Sequence, residues 1–358
     1  MEPIKVGIIG FGRSGCSIHA EAIAKMQDRF TVVAICDEIP ERRTHEDFPN
    51  AKPYATAEEL LADKDVELVV VATYNYSHAK YAVMALDAGK HVLCEKPFGY
   101  NTDDVDAMIA AAKRNNRILQ PFQQRRYEED FQKVREICQS GVLGEIKYIR
   151  ITWPGFCRRW DWQTSREFGG GQLYNNGPHL VDHGMELFGT AEEPEVCAFL
   201  RNSLSSGDAE DEFNVTLYGK KSPQVELIIS ATTAFPVDRW LVCGTAGTLR
   251  GNTSKLEWKY VDWSKYPERP LDTIPLEGRK YCSESLDYVT ETWEPETVAD
   301  SGAGAKPANK PVKKLYDTLW DSIREGKPQV ITPEAIRRRI AAMQKAYEQN
   351  NIPFPTVK

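Results

Sequence analysis

The chain has 358 residues, 41% of them hydrophobic and 27% charged, a globular composition long enough for about two domains of 100–200 residues. Its formal charge of -7 argues against a nucleic-acid or anionic-membrane surface, and no run approaches the roughly 20 apolar residues of a membrane span. Eight cysteines sit singly and the first residues lack a signal-peptide pattern, so a reduced, cytoplasmic protein without a disulfide framework or zinc ribbon is expected.

In the first third, the runs "IKVGIIG" (4–10), "FTVVAIC" (30–36), "VELVVVAT" (66–73), "HVLCE" (91–95) and "RILQPF" (117–122) are almost continuously apolar, as strands buried on both faces should be. Helical patterns lie between them, one opened by a Thr56/Glu59 capping box. Strand/helix alternation of this kind predicts a doubly wound parallel sheet over residues 1–122.

Beyond Phe122 the pattern changes. A helix, "YEEDFQKVREICQSG", precedes "EIKYIRITWPG" and then the strand-like runs "EVCAFLRN", "DEFNVTLYG", "QVELIISATTAF", "RWLVCGTAGTLRG" and "KLEWKYVDW". Successive strands without intervening helices predict an α+β second domain, 123–358, with a large, mostly antiparallel open sheet. The Ala/Gly/Pro-rich stretch 298–311 reads as a surface loop, and two helices are expected to end the chain.

Gly10-Phe11-Gly12-Arg13-Ser14-Gly15 closes the first strand and opens a helix, the setting in which backbone amides approach a pyrophosphate. Asp37 closes the second strand, 22 residues after Gly15, where a carboxylate accepts from an adenosine ribose and repels a 2′-phosphate. NAD is therefore expected over NADP, with Arg42 and Arg43 weakening the preference.

The segments "VGIIGFGRSG", "VVVATYNYSHAKYAVMALDAGKHVLCEKPFG", "SGVLGEIKYIR" and "GGGQLYNNGPHLVDHGMELFG", with Arg125-Arg126-Tyr127, resemble the glucose-fructose oxidoreductase / inositol dehydrogenase (Gfo/Idh/MocA) family over nearly the whole chain. The resemblance implies a Rossmann domain, a C-terminal domain with an open sheet, and NAD(P)-dependent oxidation of a sugar or polyol. It places the Glu95-Lys96-Pro97 lysine near the nicotinamide and the reacting hydroxyl, and Thr73, Asn75, His78 and Glu95 at the cofactor. His78 reads equally as a helix-capping residue. The family's D-x-x-x-H pattern falls on Asn175 to His179 with Asn in the Asp position, so His179 should be a less strongly supported base, leaving the proton to His179 or Lys96. Asp182 and Glu186 are candidate helping carboxylates. His179 and His183 have the i, i+4 spacing of a zinc pair, but no third ligand accompanies them and no metal is expected.

"WPGFCRRWDWQTSREFGGG" (153–171) is expected at the mouth of the cleft. Trp160 and Trp162 offer faces for a sugar ring or belong to the core, and Arg158 and Arg159 offer polar contacts. The resemblance also implies a homodimer or homotetramer formed through the second sheet. The alternatives to a dehydrogenase are a glycosidase acting by transient oxidation at a bound nicotinamide and a non-catalytic dinucleotide-binding regulator.

Overall fold

The computed structural model describes residues 1–274, 277–278, 281–295 and 310–353. Its first sheet contains β1 (Ile4–Ile9), β2 (Phe30–Cys36), β3 (Lys52–Tyr54), β4 (Leu68–Val71), β5 (His91–Cys94) and β6 (Leu119–Pro121). They lie in the order β3-β2-β1-β4-β5-β6 and every pair is parallel. All four β4 residues are buried, which is why the run carries no polar alternation. The crossover segments include α1 (Glu21–Ala24), continuing a wider helical turn over Gly15–Ala20, then α2 (Ala57–Ala62), α3 (His78–Asp87) and α4 (Thr102–Asn115). The α2 capping box forms as expected: the Glu59 amide donates to Thr56 Oγ1 and the Thr56 amide to Glu59 Oε2.

After α5 (Glu129–Ser140), the second sheet is built from β7 (Ile146–Pro154), β8 (Glu195–Arg201), β9 (Glu212–Tyr218), β10 (Gln224–Ser230), β11 (Trp240–Gly244), β12 (Gly247–Gly251), β13 (Leu256–Tyr260) and β14 (Val289–Trp293). Their order is β14-β13-β12-β11-β7-β10-β9-β8, antiparallel throughout except for the parallel β7–β10 pair. Burial alternates along β9 and β10, so one face is packed and the other open. The packed face rests on α7 (Gly177–Phe188), where Gly184 is needed because a Cβ would lie 2.8 Å from a Leu227 methyl. Short α6 (Gln172–Asn175) precedes α7, whose first turn holds Pro178.

The structure departs from the sequence reading at three places. "RWLVCGTAGTLRG" folds as the β11–β12 hairpin rather than one strand, turning at Thr245 and Ala246. β14 has no counterpart in the sequence reading, because an edge strand exposed at four of its five residues carries no apolar alternation. Of the stretch 298–311, residues 298–309 lie outside the described ones, and Lys310 and Pro311 open α8 (Lys310–Glu325) rather than a loop. α8 returns to the first sheet: Tyr316 packs edge-on against Phe30, and Arg324 pairs with Glu67. α9 (Pro333–Gln349) joins the domains by packing on α4, α7 and β8.

Candidate active site

The glycine turn assigns each glycine a separate task. Gly10 has φ +86°, and a Cβ there would lie 2.7 Å from the Ala72 carbonyl oxygen. A Cβ on Gly15 would lie 2.1 Å from the Gly10 carbonyl oxygen, so only glycine lets the helix start this close to the strand. At Gly12 a Cβ would meet only Arg42 Nη1, at 3.8 Å, which leaves the backbone open to an approaching group. Tight turn, open approach and close helix packing are what a bound pyrophosphate requires, so these residues fit a dinucleotide. Asp37 is tied to the same turn: its Oδ2 accepts the Phe11 amide at 2.7 Å and its Oδ1 the Ile39 amide at 2.9 Å. The Phe11 side chain itself is buried and lies edge-on to His45, while Arg13 is exposed and Ser14 half-buried.

Past β4, two side chains expected at the cofactor are engaged inside the protein. Asn75 Nδ2 donates to the Gly169 carbonyl at 3.1 Å, fastening the 153–171 loop to the first domain. His78 is 1% exposed, with Nδ1 2.8 Å from the Pro97 carbonyl and Nε2 3.1 Å from the Thr73 carbonyl, so it braces the Glu-Lys-Pro turn. Burial lowers its pKa. Thr73 shares a 2.7 Å hydroxyl contact with Ser77.

Glu95 is also engaged. Its Oε2 accepts the Lys96 amide at 3.0 Å, and its Oε1 lies 3.3 Å from Nε2 of His19, whose Nδ1 is 2.8 Å from the Tyr316 hydroxyl. Burial works against the carboxylate, but the His19 hydrogen bond and charge, with Lys96, hold its pKa below the usual value. This buried Tyr316–His19–Glu95 chain fixes the backbone beneath Lys96.

The Lys96 ammonium reaches α6, donating to Asn175 O at 2.9 Å and Asn175 Oδ1 at 3.3 Å. Burial lowers its pKa; Arg13, Arg125 and Arg159 push the same way and Glu95 opposes. Asn175 was expected to support His179, but its oxygens hold Lys96. The partner of His179 is Gln123, whose Nε2 lies 3.3 Å from His179 Nδ1 and 3.0 Å from the Pro178 carbonyl. His179 is 3% exposed, and burial, then Arg125, Lys96, His183 and Arg239, keep its pKa well below the ordinary histidine value.

Asp182 and Glu186 do not help at this imidazole. Asp182 is fully buried and takes both Arg126 contacts at 2.9 Å together with Arg339, while Glu186 accepts from Arg339 at 2.8 Å. His183 stacks on Phe131 with ring centroids 4.0 Å apart, and its Nε2 lies 3.0 Å from the Arg125 carbonyl. No group of three His, Cys, Asp or Glu side chains gathers as a metal site among the described residues, and none of their helices is long and apolar enough to cross a membrane.

At the mouth, Trp162 packs edge-on against Tyr74, with centroids 5.1 Å apart, whereas Trp160 is 79% exposed. Arg158 is exposed, and Arg159 is held by Asp161 and Gln163. Sequence reasoning missed His19, Tyr316 and Gln123. Only Gln123 carried a usable signal, since it follows the last parallel strand at its carboxyl end, where ligands of open α/β sheets bind.

Residues 4–123 match the description "Oxidoreductase family, NAD-binding Rossmann fold" and residues 131–250 the "GFO/IDH/MocA C-terminal domain". The oxidoreductase YdgJ of Escherichia coli (strain K12) is 31% identical over 93% of each chain. The scyllo-inositol 2-dehydrogenase (NADP(+)) IolW of Bacillus subtilis (strain 168) is 26% identical over 97% of this chain and 96% of its own. An NAD-binding protein from Listeria innocua superposes with a TM-score of 0.77 at 25% identity, covering 98% of this chain and 99% of that one. With its glycine turn, its paired sheets and relatives of this similarity, the chain belongs to the GFO/IDH/MocA family of NAD-binding oxidoreductases.

Proposed function

We propose that the protein is a dehydrogenase transferring hydride between the hydroxyl carbon of a sugar or polyol and NAD, with Lys96 and His179 at the reacting hydroxyl. The observation that carries this reading is Lys96 itself. Its amine is anchored to the Asn175 oxygens and poised by burial below the usual lysine range, at the carboxyl end of the parallel strands. When bound, the nicotinamide supplies the hydride acceptor. The chain's residues do the rest: the glycine turn and Asp37 seat the dinucleotide, and Lys96 and His179 stabilise charge on the substrate oxygen as the C–H bond breaks. IolW, named as an inositol dehydrogenase, supports a polyol.

The test is incubation with a panel of sugars and polyols plus NAD or NADP, followed by nicotinamide absorbance and product analysis. Net NADH formation with one of these substrates is expected. Release of free sugar from a glycoside without net NADH would replace the reading with glycoside cleavage. Self-association we place on the open face of the second sheet, where Phe199 is 70% and Tyr218 44% exposed. Light scattering should give a dimer or tetramer, and a monomeric mass would remove that proposal.

A further inference from the structure

We propose that Gln123 locks His179 as the Nε2–H tautomer, which makes His179 a hydrogen-bond donor to the substrate oxygen and leaves Lys96 as the proton acceptor. The Pro178 carbonyl can only accept. The Gln123 amide atom 3.0 Å from it must therefore be the nitrogen, so the amide orientation is fixed by the main chain. The same NH2 group lies 3.3 Å from His179 Nδ1. A donor facing a ring nitrogen requires a lone pair there, so a neutral His179 carries its proton on Nε2.

The surroundings keep the ring neutral. The ring is 3% exposed, and Arg125, Lys96, His183 and Arg239 all disfavour its charge. Among the described residues Nε2 has no hydrogen-bond partner of its own, so the Nε2–H group is available to a substrate in the cleft. A ring in this state has no lone pair with which to take a hydroxyl proton.

Lys96 has what His179 lacks. A neutral lysine amine has two N–H bonds, and the two Asn175 oxygens, at 2.9 and 3.3 Å, accept both. The lone pair is then directed away from α6. Asn175 matters for its neutrality: a carboxylate there would favour the ammonium, which cannot accept. Around Lys96, Glu95 favours the ammonium while Arg13, Arg125 and Arg159 oppose it. In the oxidation direction the hydroxyl proton passes to Lys96 Nζ, forming an ammonium, and the O–H bonding pair becomes the second bond of the carbonyl. The C–H pair leaves with its hydrogen as hydride to oxidised nicotinamide, and His179 keeps its proton.

This assignment of roles rests on the dehydrogenase reading, but the tautomer does not, and the experiment separates them. Long-range 1H–15N correlation on the full chain labelled with 15N-histidine, with the His179 signals identified by their loss in His179→Gln, reads the tautomer without turnover. The expected pattern at neutral pH has Nε2 protonated and Nδ1 bare, inverting in Gln123→Glu, whose carboxylate would accept from Nδ1–H. A wild-type Nδ1–H or imidazolium pattern overturns the proposal even if Gln123→Glu does not fold. In kinetics, His179→Ala should lose about 10²-fold in kcat, as removal of one preorganised donor does, while His179→Gln, whose amide can donate from a similar position, recovers part of that loss. Both variants should keep the acidic limb of the wild-type pH profile, and loss of that limb assigns the base to His179 and refutes the role given to Lys96. A panel without any turnover alongside the Nε2–H pattern would reject the dehydrogenase reading and leave the tautomer standing.

Discussion

At the glycine turn, the polar contacts are local: Asp37 reaches the Phe11 amide across 26 residues of chain, and the remaining work is done by backbone and by the absence of side chains. At Lys96, the partner lies 79 residues away, and the Gln123–His179 contact spans 56. The dinucleotide half of the site is thus specified within the first sheet, by the carboxyl ends of β1, β2 and β4, and needs only that domain to fold. The reacting half exists only after two domains have docked, with α6 presenting Asn175 to a strand end of the other sheet. Errors in the first half should therefore show as lost cofactor affinity or local strain, and errors in the second as lost rate with binding intact.

Lys96→Ala is the most severe break. Removing the amine takes away the group we propose as proton acceptor, so kcat should fall by roughly 10²–10⁴ while NADH titration gives a nearly unchanged Kd. Equal losses in affinity and rate would mean that the two halves are not separable in this way.

The glycine turn gives a paired prediction of smaller size. Gly15→Ala forces a Cβ to 2.1 Å from the Gly10 carbonyl oxygen and should cost about 1–3 kcal/mol of stability, read as a Tm lower by several degrees. Gly12→Ala meets nothing closer than 3.8 Å, so Tm should stay near wild type while the new methyl obstructs the pyrophosphate and weakens NAD about tenfold. The reverse pattern would show that Gly12 is structural and Gly15 the point of approach.

The same contrast explains what was legible in the sequence. Continuous apolar runs, the glycine spacing and Asp37 are short-range signals, and each forms with the expected element. Lys96 and His179 could be named only through the family resemblance, and their partners could not be named. His19 and Tyr316 are 297 residues apart, and no periodicity announces that an α8 tyrosine will reach the first domain to steady Glu95. His78 was placed on the cofactor because its position at a strand end fits either role. In the structure its ring nitrogens face two backbone carbonyls, a third role, and backbone carbonyls have no signature in sequence. Asn175 was paired with His179 through the family's D-x-x-x-H pattern, whereas helix α7 begins anew at Gly177, so the two residues do not share one regular turn.

A third prediction concerns acid stability, to which both domains contribute. His179 and His183 from the second domain, and His78 and His91 from the first, have lowered pKa values caused first by burial, His91 and His183 to about 4. Below the unfolded histidine pKa near 6.5, the unfolded chain binds protons that the native chain refuses. Stability should therefore fall as pH drops from about 6.5 towards 4, each histidine adding at most roughly 1.4 kcal/mol per pH unit. Glu210 acts in the opposite sense: burial raises it to about 7, so it favours the folded state below the ordinary carboxyl range and loses that contribution as pH rises to 7. Urea midpoints across this range should slope accordingly, more steeply in Glu210→Gln. A flat profile would contradict the burial of neutral imidazoles.

The smallest expected effect lies at the edge of the dinucleotide half, and it sharpens the claim that this half is local. Asp37 is anchored by the Phe11 and Ile39 amides, so its carboxylate is positioned to accept from a ribose 2′-hydroxyl and to repel a 2′-phosphate. NAD should bind more tightly than NADP. Arg42 softens the difference, since its Nη1 stands 3.8 Å from the Cβ position of Gly12, over the turn where a 2′-phosphate would gain a cation. Arg42 is exposed, so its contribution is that of a surface charge, about 0.2–1 kcal/mol, or up to roughly fivefold in Kd. Arg42→Ala should accordingly leave NAD affinity unchanged and weaken NADP by up to about fivefold, with the difference shrinking as salt is raised. Equal loss of both cofactors would show that Arg42 serves the shared pyrophosphate, and tighter binding of NADP by the wild type would show that Asp37 does not govern the choice.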